Sequence, residues 1–182
     1  MSIKIFNEGD LKGAVAVGID QSYTGFGITV IDKSGNYRTE VYKSELSGIE
    51  RLSDIRNYVE DFLSEYDVDR VAMEGYAYGS QTANMAGELG GIIKLLMYDL
   101  YPTNELARYP LIVPPTSLKK YVAGKGQGVS KSQIMLAVYK KWGVEFTDDN
   151  AADSYGLARL VRNKHEFEYE KEVYEKLTSQ GK

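Results

Sequence analysis

Two apolar runs, separated by a short glycine-containing segment, set the strongest limit on the fold of this chain. Residues 15–32 read VAVGIDQSYTGFGITVID, and the first run ends in the carboxylate of Asp20. Because residues 14–20 are almost continuously apolar, they predict a strand buried on both faces. Residues 25–32 predict a second strand. The rest of the sequence is therefore read for the role of an acid at the end of a buried strand.

The pattern that follows predicts a mixed sheet covered by helices. Residues 35–37 are a turn signal and residues 38–43 alternate like a strand, so residues 14–43 form an antiparallel meander. Two further strands are predicted at 69–75 and 109–115. Helices are predicted at 46–66, 80–100, 116–122, 130–142 and 148–164. This order favours an α/β fold with a mixed five-stranded sheet, an antiparallel meander and then parallel strands, flanked by helices.

Length and composition indicate a single globular domain. The chain has 182 residues, which is long enough to bury a sizeable core. We expect this domain to span 1–165, with 1–12 as an N-terminal extension and 166–182 as a charged C-terminal tail. The absence of cysteine excludes disulfides and thiolate zinc sites. The polar N-terminus and short apolar runs predict a cytoplasmic protein with no membrane partner.

Charge is unevenly distributed along the sequence. The net charge of −4 argues against nucleic acid as a partner of the whole surface. Residues 106–144, however, contain no Asp or Glu, and the acids gather instead in 45–74 and 166–176. The cations of the acid-free segment are Arg108, Lys119, Lys120, Lys125, Lys131, Lys140 and Lys141. Such a distribution is typical of a local basic face, although a solvated lysine surface would have the same composition.

Three acids from distant segments could meet at one edge of the predicted sheet. Asp20 ends the first strand and Glu74 ends the fourth, so the two acids lie together if these strands are neighbours. Asp153 falls on the apolar stripe of the last helix, where an unpartnered charge is costly. Carboxylates without cysteine favour Mg²⁺ or Mn²⁺, and two such ions can support phosphodiester hydrolysis.

Each acid also has a simpler interpretation. Asp20 is placed to begin a turn, since DQSYTG is turn-like. Glu74 could be an ordinary surface acid at a strand end, and Asp153 could pair with an arginine in the core. The joint placement of the three acids, rather than any one of them, indicates a site.

Four segments then resemble the motifs of RuvC-type Holliday junction resolvases, a family of the RNase H-like superfamily. They are VGIDQSYTGFGITVID, VAMEGYAYG, SLKKYVAGKGQGVSKSQI and DNAADSYGLA, which occur in the family's order. The resemblance runs through roughly 14–160 and implies an RNase H-like fold. It also implies a homodimeric, metal-dependent endonuclease that nicks four-way DNA junctions.

The resemblance assigns roles to individual residues. It implies that Asp20, Glu74 and Asp153 bind two Mg²⁺ ions per active site, with Mn²⁺ able to substitute. It places Lys119 and Lys131 beside the scissile backbone, with Lys131 offsetting charge during catalysis. The helix at 80–100 matches the region that builds the family's dimer interface.

The sequence departs from the family pattern in its longer loop after Gly126, in its acidic tail and negative net charge, and at two predicted site positions. The family's other C-terminal ligand, an acid or histidine, corresponds to Asn150, and Asp149 could take its place after a small shift of the helix start. The loop aromatic of the family aligns with Ala77, which is flanked by Tyr76 and Tyr78. Either tyrosine could stack on an unpaired base, or both could be ordinary packing residues. Lys120 and Lys125 complete the predicted DNA-binding residues.

We therefore predict a structure-selective endonuclease that cleaves Holliday junctions and other branched DNA. Phage members of the family debranch replicating genomes, and a phage-type protein would work in the host cytoplasm. One alternative is a catalytically weak junction-binding protein, for which the amide of Asn150 leaves room. A second is an actin- or sugar-kinase-like phosphotransferase, whose first phosphate loop also follows a strand that ends in Asp.

Overall fold

A computed structural model of the chain describes residues 1–76 and 83–179. The strands are β1 Ser2–Glu8, β2 Val15–Asp20, β3 Phe26–Asp32, β4 Tyr37–Lys43, β5 Val68–Glu74 and β6 Leu111–Val113. The helices are α1 Gly48–Ser64, α2 Ala83–Leu100, α3 Glu105–Arg108, α4 Pro115–Ala123, α5 Lys131–Trp142, α6 Asp149–Val161 and α7 Glu168–Ser179. Of these helices, none is long and apolar enough to cross a bilayer.

The strands form one mixed sheet in the order β1-β4-β3-β2-β5-β6. The pairs β1–β4, β4–β3 and β3–β2 are antiparallel, whereas β2–β5 and β5–β6 are parallel. The predicted meander followed by parallel strands is therefore confirmed. The predicted count of five strands is wrong, because β1 pairs with β4 from Ser2 opposite Lys43 to Glu8 opposite Tyr37. An almost fully exposed edge strand buries too little apolar surface to give a strong signal.

Helices cover both faces of the sheet and create two cores. Consecutive residues of β2 alternate between them, so Ala16 packs with α4, α5 and α6, whereas Val17 and Ile19 pack with α1 and α2. By the same alternation Asp20 lies on the α6 side and Gln21 on the α2 side of the sheet.

Two glycines let helix α6 lie directly on the sheet. A Cβ atom on Gly18 would lie 2.0 Å from the backbone oxygen of Ser154, and one on Gly27 would lie 2.4 Å from the backbone oxygen of Asn150. Any larger side chain at these positions would push the helix away. The glycines of β2 and β3 therefore bring the N-terminal half of α6 against the sheet, at the strand end that carries Asp20.

The charged tail predicted at 166–182 could be a solvated helix or a frayed end on its sequence alone. In the structure this segment contains helix α7, and one face of the helix is buried. Glu170 on this face is 1% exposed and forms an ion pair with the buried Lys141 of α5. Lys141 Nζ also donates a hydrogen bond to the backbone oxygen of Tyr121 at 2.7 Å. Four rings lie within 4.7–5.4 Å of this ammonium, those of Tyr121, Trp142, Phe167 and Tyr169. This arrangement, the Lys141 clamp, fixes α7 to α4 and α5.

Candidate active site

Two parallel strands deliver two acids to one edge of the sheet. Asp20 is the last residue of β2 and Glu74 is the last residue of β5. The strands are direct neighbours, with Ile19 opposite Met73 just before the two acids. Rigid sheet backbone therefore fixes the origin of both side chains, as the sequence predicts.

Helix α6 adds the third acid to the same place. Asp153 lies one residue before Ser154, whose backbone rests on Gly18. The acids share a pocket of about 420 Å³ with residues of α4, α5 and α6. Its charged and amide side chains are Asp20, Gln21, Glu74, Lys119, Lys131, Asp149, Asn150 and Asp153. The structure thus brings together the three acids on which the site prediction depends.

Burial first, and then neighbouring acids at Asp20 and Asp153, disfavour the ionised forms of the acids in this pocket. Burial, and then the charges of Glu74 and Asp153, raise the pKa of Asp20 well above its usual value. Burial likewise raises the pKa of Glu74, although a hydrogen bond with Asp20 and the two pocket lysines oppose the rise. Burial, with Glu74 and Asp149, raises the pKa of Asp153 to about 7. The pocket therefore holds more carboxyl groups than lysines, and without a bound cation its fully ionised state is disfavoured.

A hard divalent cation suits this set of donors. Carboxylate and amide oxygens are the ligands that Mg²⁺ and Mn²⁺ take, and a nearby cation reverses the cost of ionising clustered acids. Across residues 1–76 and 83–179, however, no three His, Asp or Glu side chains are already gathered closely enough to hold one metal ion. The pocket therefore has the donor chemistry of a cation site without a closed set of ligands.

Two predicted lysines reach the pocket from different helices. Lys131 is the first residue of α5, directly after a capping box in which the Ser130 hydroxyl accepts from the Gln133 N–H. Lys131 forms an ion pair with Asp149, and this contact raises the pKa of Lys131. Lys119 enters from α4 and is partly buried at the rim. Both cations are placed to face an anion bound beside the acids.

The other predicted DNA contacts are less closely tied to the pocket. Lys120 points away from it and forms an ion pair with Glu172 of α7 at 3.2 Å. Lys125 is exposed in the glycine-rich loop after α4. Tyr76 lines the pocket, with Lys94 Nζ 5.4 Å from the centre of its ring. Tyr78 lies outside the described residues.

Sequence reasoning missed two polar side chains, one that lines the pocket and one that contacts a pocket residue. Gln21 donates its Nε2 to the backbone oxygen of Glu74 at 2.8 Å, so it fixes the end of β5. Asp148 is the N-cap of α6 and accepts from the Asn150 N–H at 3.1 Å. An Asp at the start of a predicted helix is a capping signal that could have identified this second residue.

Comparisons with known proteins identify solved structures that have a similar fold. Neither family models nor curated proteins match this sequence. Among solved structures, Thermus thermophilus RuvC matches with a TM-score of 0.66 and 21% identity over 90% of this chain and 96% of that chain. T. thermophilus RuvC in complex with a Holliday junction substrate matches with a TM-score of 0.64 and 23% identity over 79% of this chain and 90% of that chain.

The architecture is thus that of the RNase H-like class, a mixed sheet flanked by helices with acids at its strand ends. Within that class, the chain has a RuvC-like fold. The predicted fold class is confirmed, apart from the additional strand β1.

Proposed function

We propose that this protein is a structure-selective endonuclease that nicks Holliday junctions and other branched DNA by metal-dependent phosphodiester hydrolysis. The observation that supports this most is the meeting of Asp20, Glu74 and Asp153 in one pocket of a RuvC-like fold. Three acids from separate elements, with lysines beside them, suit a phosphodiester that is bound through divalent cations.

The pocket residues fit the metal that this chemistry needs. Asp20, Glu74 and Asp153 would hold two Mg²⁺ ions, or Mn²⁺ in their place, with Asn150 or Asp149 completing the set. When bound, the ions would supply the positive charge that stabilises the attacking and leaving oxygens. Burial, and then neighbouring acids, raise the pKa of Asp20 and of Asp153, and this supports the assignment because a bound cation would favour their ionised forms.

The chain's own cations act on the phosphate. Lys131 stands at the N-terminus of α5, where the helix dipole adds to its charge, so it can stabilise negative charge that develops on a phosphoryl oxygen. Lys119 would contact the backbone beside the cleaved bond. Lys120 and Lys125 would extend the contact along the strand, and the ring of Tyr76 would offer a surface for an unpaired base.

A homodimer would suit a four-way junction, because each subunit would nick one of two symmetry-related strands. Helix α2 is the proposed interface, since its Leu95 is 61% and its Tyr98 43% exposed. A Cβ atom on Gly91 would meet nothing within 4 Å, which leaves room for a partner helix. Position 90 requires glycine for a different reason, because a Cβ atom there would lie 2.2 Å from Gln21 Oε1 of the same chain.

The substrate range that we propose is broad. An uncharged Asn150 and an overall net charge of −4 favour a protein that acts on several branched structures, in the manner of phage members of the family. A phage-type origin is thus part of the proposal.

Cleavage of four substrates in parallel tests the proposed function. Four-way, three-way, flap and linear duplex DNA would be incubated with Mg²⁺, Mn²⁺ or Ca²⁺, and the nicks mapped on each strand. We expect paired nicks in branched substrates with Mg²⁺ or Mn²⁺, and no nicks in the linear duplex. The matched control is Asp20→Asn, which should bind the junction as well as or better than the natural protein without nicking it.

Other results would replace the proposal with one of its rivals. Tight junction binding without nicking under every metal would indicate a binding protein, and ATP turnover without DNA cleavage would indicate a phosphotransferase. Equal cleavage of linear and branched DNA would refute structure selectivity.

A further inference from the structure

Three polar links run from the edge strand β1 to the pocket. Lys4 Nζ donates to Asp148 Oδ2 at 2.8 Å. Asp148 Oδ1 accepts from the backbone N–H of Asn150 at 3.1 Å and from its side-chain Nδ2 at 3.2 Å. Asp148 is 7% exposed, whereas Lys4 is half exposed, so these hydrogen bonds are partly buried. An otherwise exposed strand thereby reaches the start of the helix that carries Asp153.

The carboxylate of Asp148 allows only one orientation of the Asn150 amide. An ionised carboxylate accepts hydrogen bonds and cannot donate, so it must face the NH₂ group of Asn150. The reverse orientation would set two acceptor oxygens against each other. Gly25 leaves the space that this requires, since a Cβ atom on it would lie 2.7 Å from Asn150 Nδ2. Asn150 lines the pocket, and its amide oxygen is not used by the contact with Asp148, so this oxygen is left for a ligand.

Asp149 is held differently. Its carboxylate forms an ion pair with Lys131, so its charge is already matched by a cation of the chain. Asn150 instead offers an oxygen without charge to a pocket where Asp20, Glu74 and Asp153 already repel one another. Of the two residues that the sequence leaves open, Asn150 is the better placed to complete the donor set.

We propose that Asp148 is a positioning residue of the pocket, which turns the Asn150 amide so that Oδ1 faces the acids, and that Lys4 of β1 holds Asp148 in place. The use of that oxygen as a metal ligand rests on the proposed function, whereas the orientation itself does not. The proposal gives β1 a role in the site and accounts for an amide where the family has an acid or histidine, because an acid at 150 would face the carboxylate of Asp148.

A set of variants separates this role from simple helix capping. Asp148→Ser keeps an N-cap but loses the acceptor for Asn150 Nδ2, whereas Asp148→Asn keeps an acceptor oxygen at the same reach. Lys4→Met removes the outer link. Lys43→Met is its control, because Lys43 acts on Asp148 by charge and makes no hydrogen bond to it within the described residues. Urea unfolding would establish that each variant folds.

Two measurements then read the position of the amide. The side-chain NH₂ resonances of Asn150, recorded on ¹⁵N-labelled protein without metal, report its hydrogen bond directly. Titration with Mn²⁺, followed by electron paramagnetic resonance of the free ion, reports the donor set without any cleavage assay.

We expect Asp148→Ser to shift the Asn150 resonances and to weaken Mn²⁺ binding about tenfold, the usual effect of removing a group that orients a ligand. Asp148→Asn should restore most of both signals. Lys4→Met should weaken Mn²⁺ binding by no more than about fivefold, because its ammonium is half exposed, and Lys43→Met should leave it unchanged.

The proposal is overturned if Asp148→Ser folds and leaves the Asn150 resonances as they are in the natural protein. If the natural protein binds no Mn²⁺, the proposed function loses its metal, while the resonances still decide whether Asp148 orients the amide. Unchanged Mn²⁺ affinity in Asp148→Ser, with shifted resonances, would reject Asn150 as a ligand.

Discussion

Asp20 ends β2 and Asp32 ends the neighbouring antiparallel strand β3, so the two acids lie at opposite strand ends of the sheet. The two carboxyl groups differ in their hydrogen bonding. Both are buried, at 4% and 1% exposure. Asp32 accepts from four backbone N–H groups, those of Lys12, Ser34, Gly35 and Asn36, and from Asn36 Nδ2, at 2.8–3.1 Å. Asp20 accepts none from a backbone N–H or a cation within the described residues, and its carboxyl group shares a hydrogen bond with Glu74 instead.

The contrast separates a structural acid from a candidate functional one. Burial alone would raise the pKa of Asp32, but its hydrogen bonds outweigh burial and lower it. At Asp20 burial and the neighbouring acids act in the same direction, and the pKa rises. Hydrogen-bond donors offset the burial of Asp32, whereas within the described residues no backbone N–H group does so for Asp20. A buried acid whose charge is not offset is typical of a ligand-binding site.

The largest expected difference between the two aspartates is in DNA cleavage. Asp20→Asn should slow nicking of a four-way junction by on the order of 10²–10³-fold, the scale of removing one preorganised electrostatic group. Asp32→Asn should leave the rate within about threefold, since Asp32 lies at the far edge of the sheet. Single-turnover cleavage by both variants measures this, and equal losses would erase the distinction.

The same two substitutions should differ in sign when stability is measured. Asp32→Asn turns an NH₂ group towards backbone donors, so the free energy of unfolding should fall by about 2–3 kcal/mol. Asp20→Asn removes a buried charge and its repulsion from the neighbouring acids, so this free energy should rise. Urea denaturation with a chelator present provides the values. A stability loss in Asp20→Asn as large as that in Asp32→Asn would show that both acids are structural.

The glycine beneath α6 offers a third test, which concerns how the acids are brought together. Gly18→Ala should destabilise the fold by about 1–3 kcal/mol and slow nicking, because the new methyl group meets the backbone of α6. Gly91→Ala is the matched control for stability alone, since it meets nothing within the chain and favours helix by up to about 1 kcal/mol, whereas its place in the proposed dimer interface excludes it from the cleavage comparison. Denaturation of both variants and cleavage by Gly18→Ala decide the question, and a Gly18→Ala protein with natural stability would mean that the helix does not need this close approach.

The smallest effect is expected in the dependence of stability on pH. The pKa of Asp32 is lower in the folded chain than in the unfolded chain, so its contribution is present above about pH 4 and is lost as the pH falls through the folded value. Between pH 5 and pH 3 the natural protein should lose about 1 kcal/mol more unfolding free energy than Asp32→Asn. Urea titrations at both pH values test this, and parallel losses would contradict the low pKa.

The sequence predicts most of what builds the pocket, because these features are local or follow from chain order. Asp20 and Glu74 end apolar runs, and the order of strands and helices makes their strands neighbours. Asp153 follows from helical spacing. Asp20 and Asp32 nevertheless look alike in sequence, since each closes an apolar run before a turn-like segment. Only the backbone N–H groups that reach Asp32 in three dimensions distinguish them.

Features that depend on long-range pairing could not be predicted in this way. Strand β1 is recognised only by its pairing with β4 and by its contact with Asp148, which is more than a hundred residues away in sequence. The Lys141 clamp likewise joins α5 to a segment whose composition resembles a solvated tail. Charge-rich sequence indicates exposure on average, but a few apolar side chains such as Val173, together with one matched ion pair, bury one face of this helix.

The Lys141 clamp also limits where the chain can be shortened. Cutting it after Lys164 would remove Glu170 together with two of the four rings around the ammonium and leave a buried lysine in a half-open shell. The shortened protein would have to hydrate that lysine by loosening α4, the helix that carries Lys119. Removing the polar C-terminal segment to obtain crystals or a smaller protein would therefore disturb the part of the pocket that α4 forms.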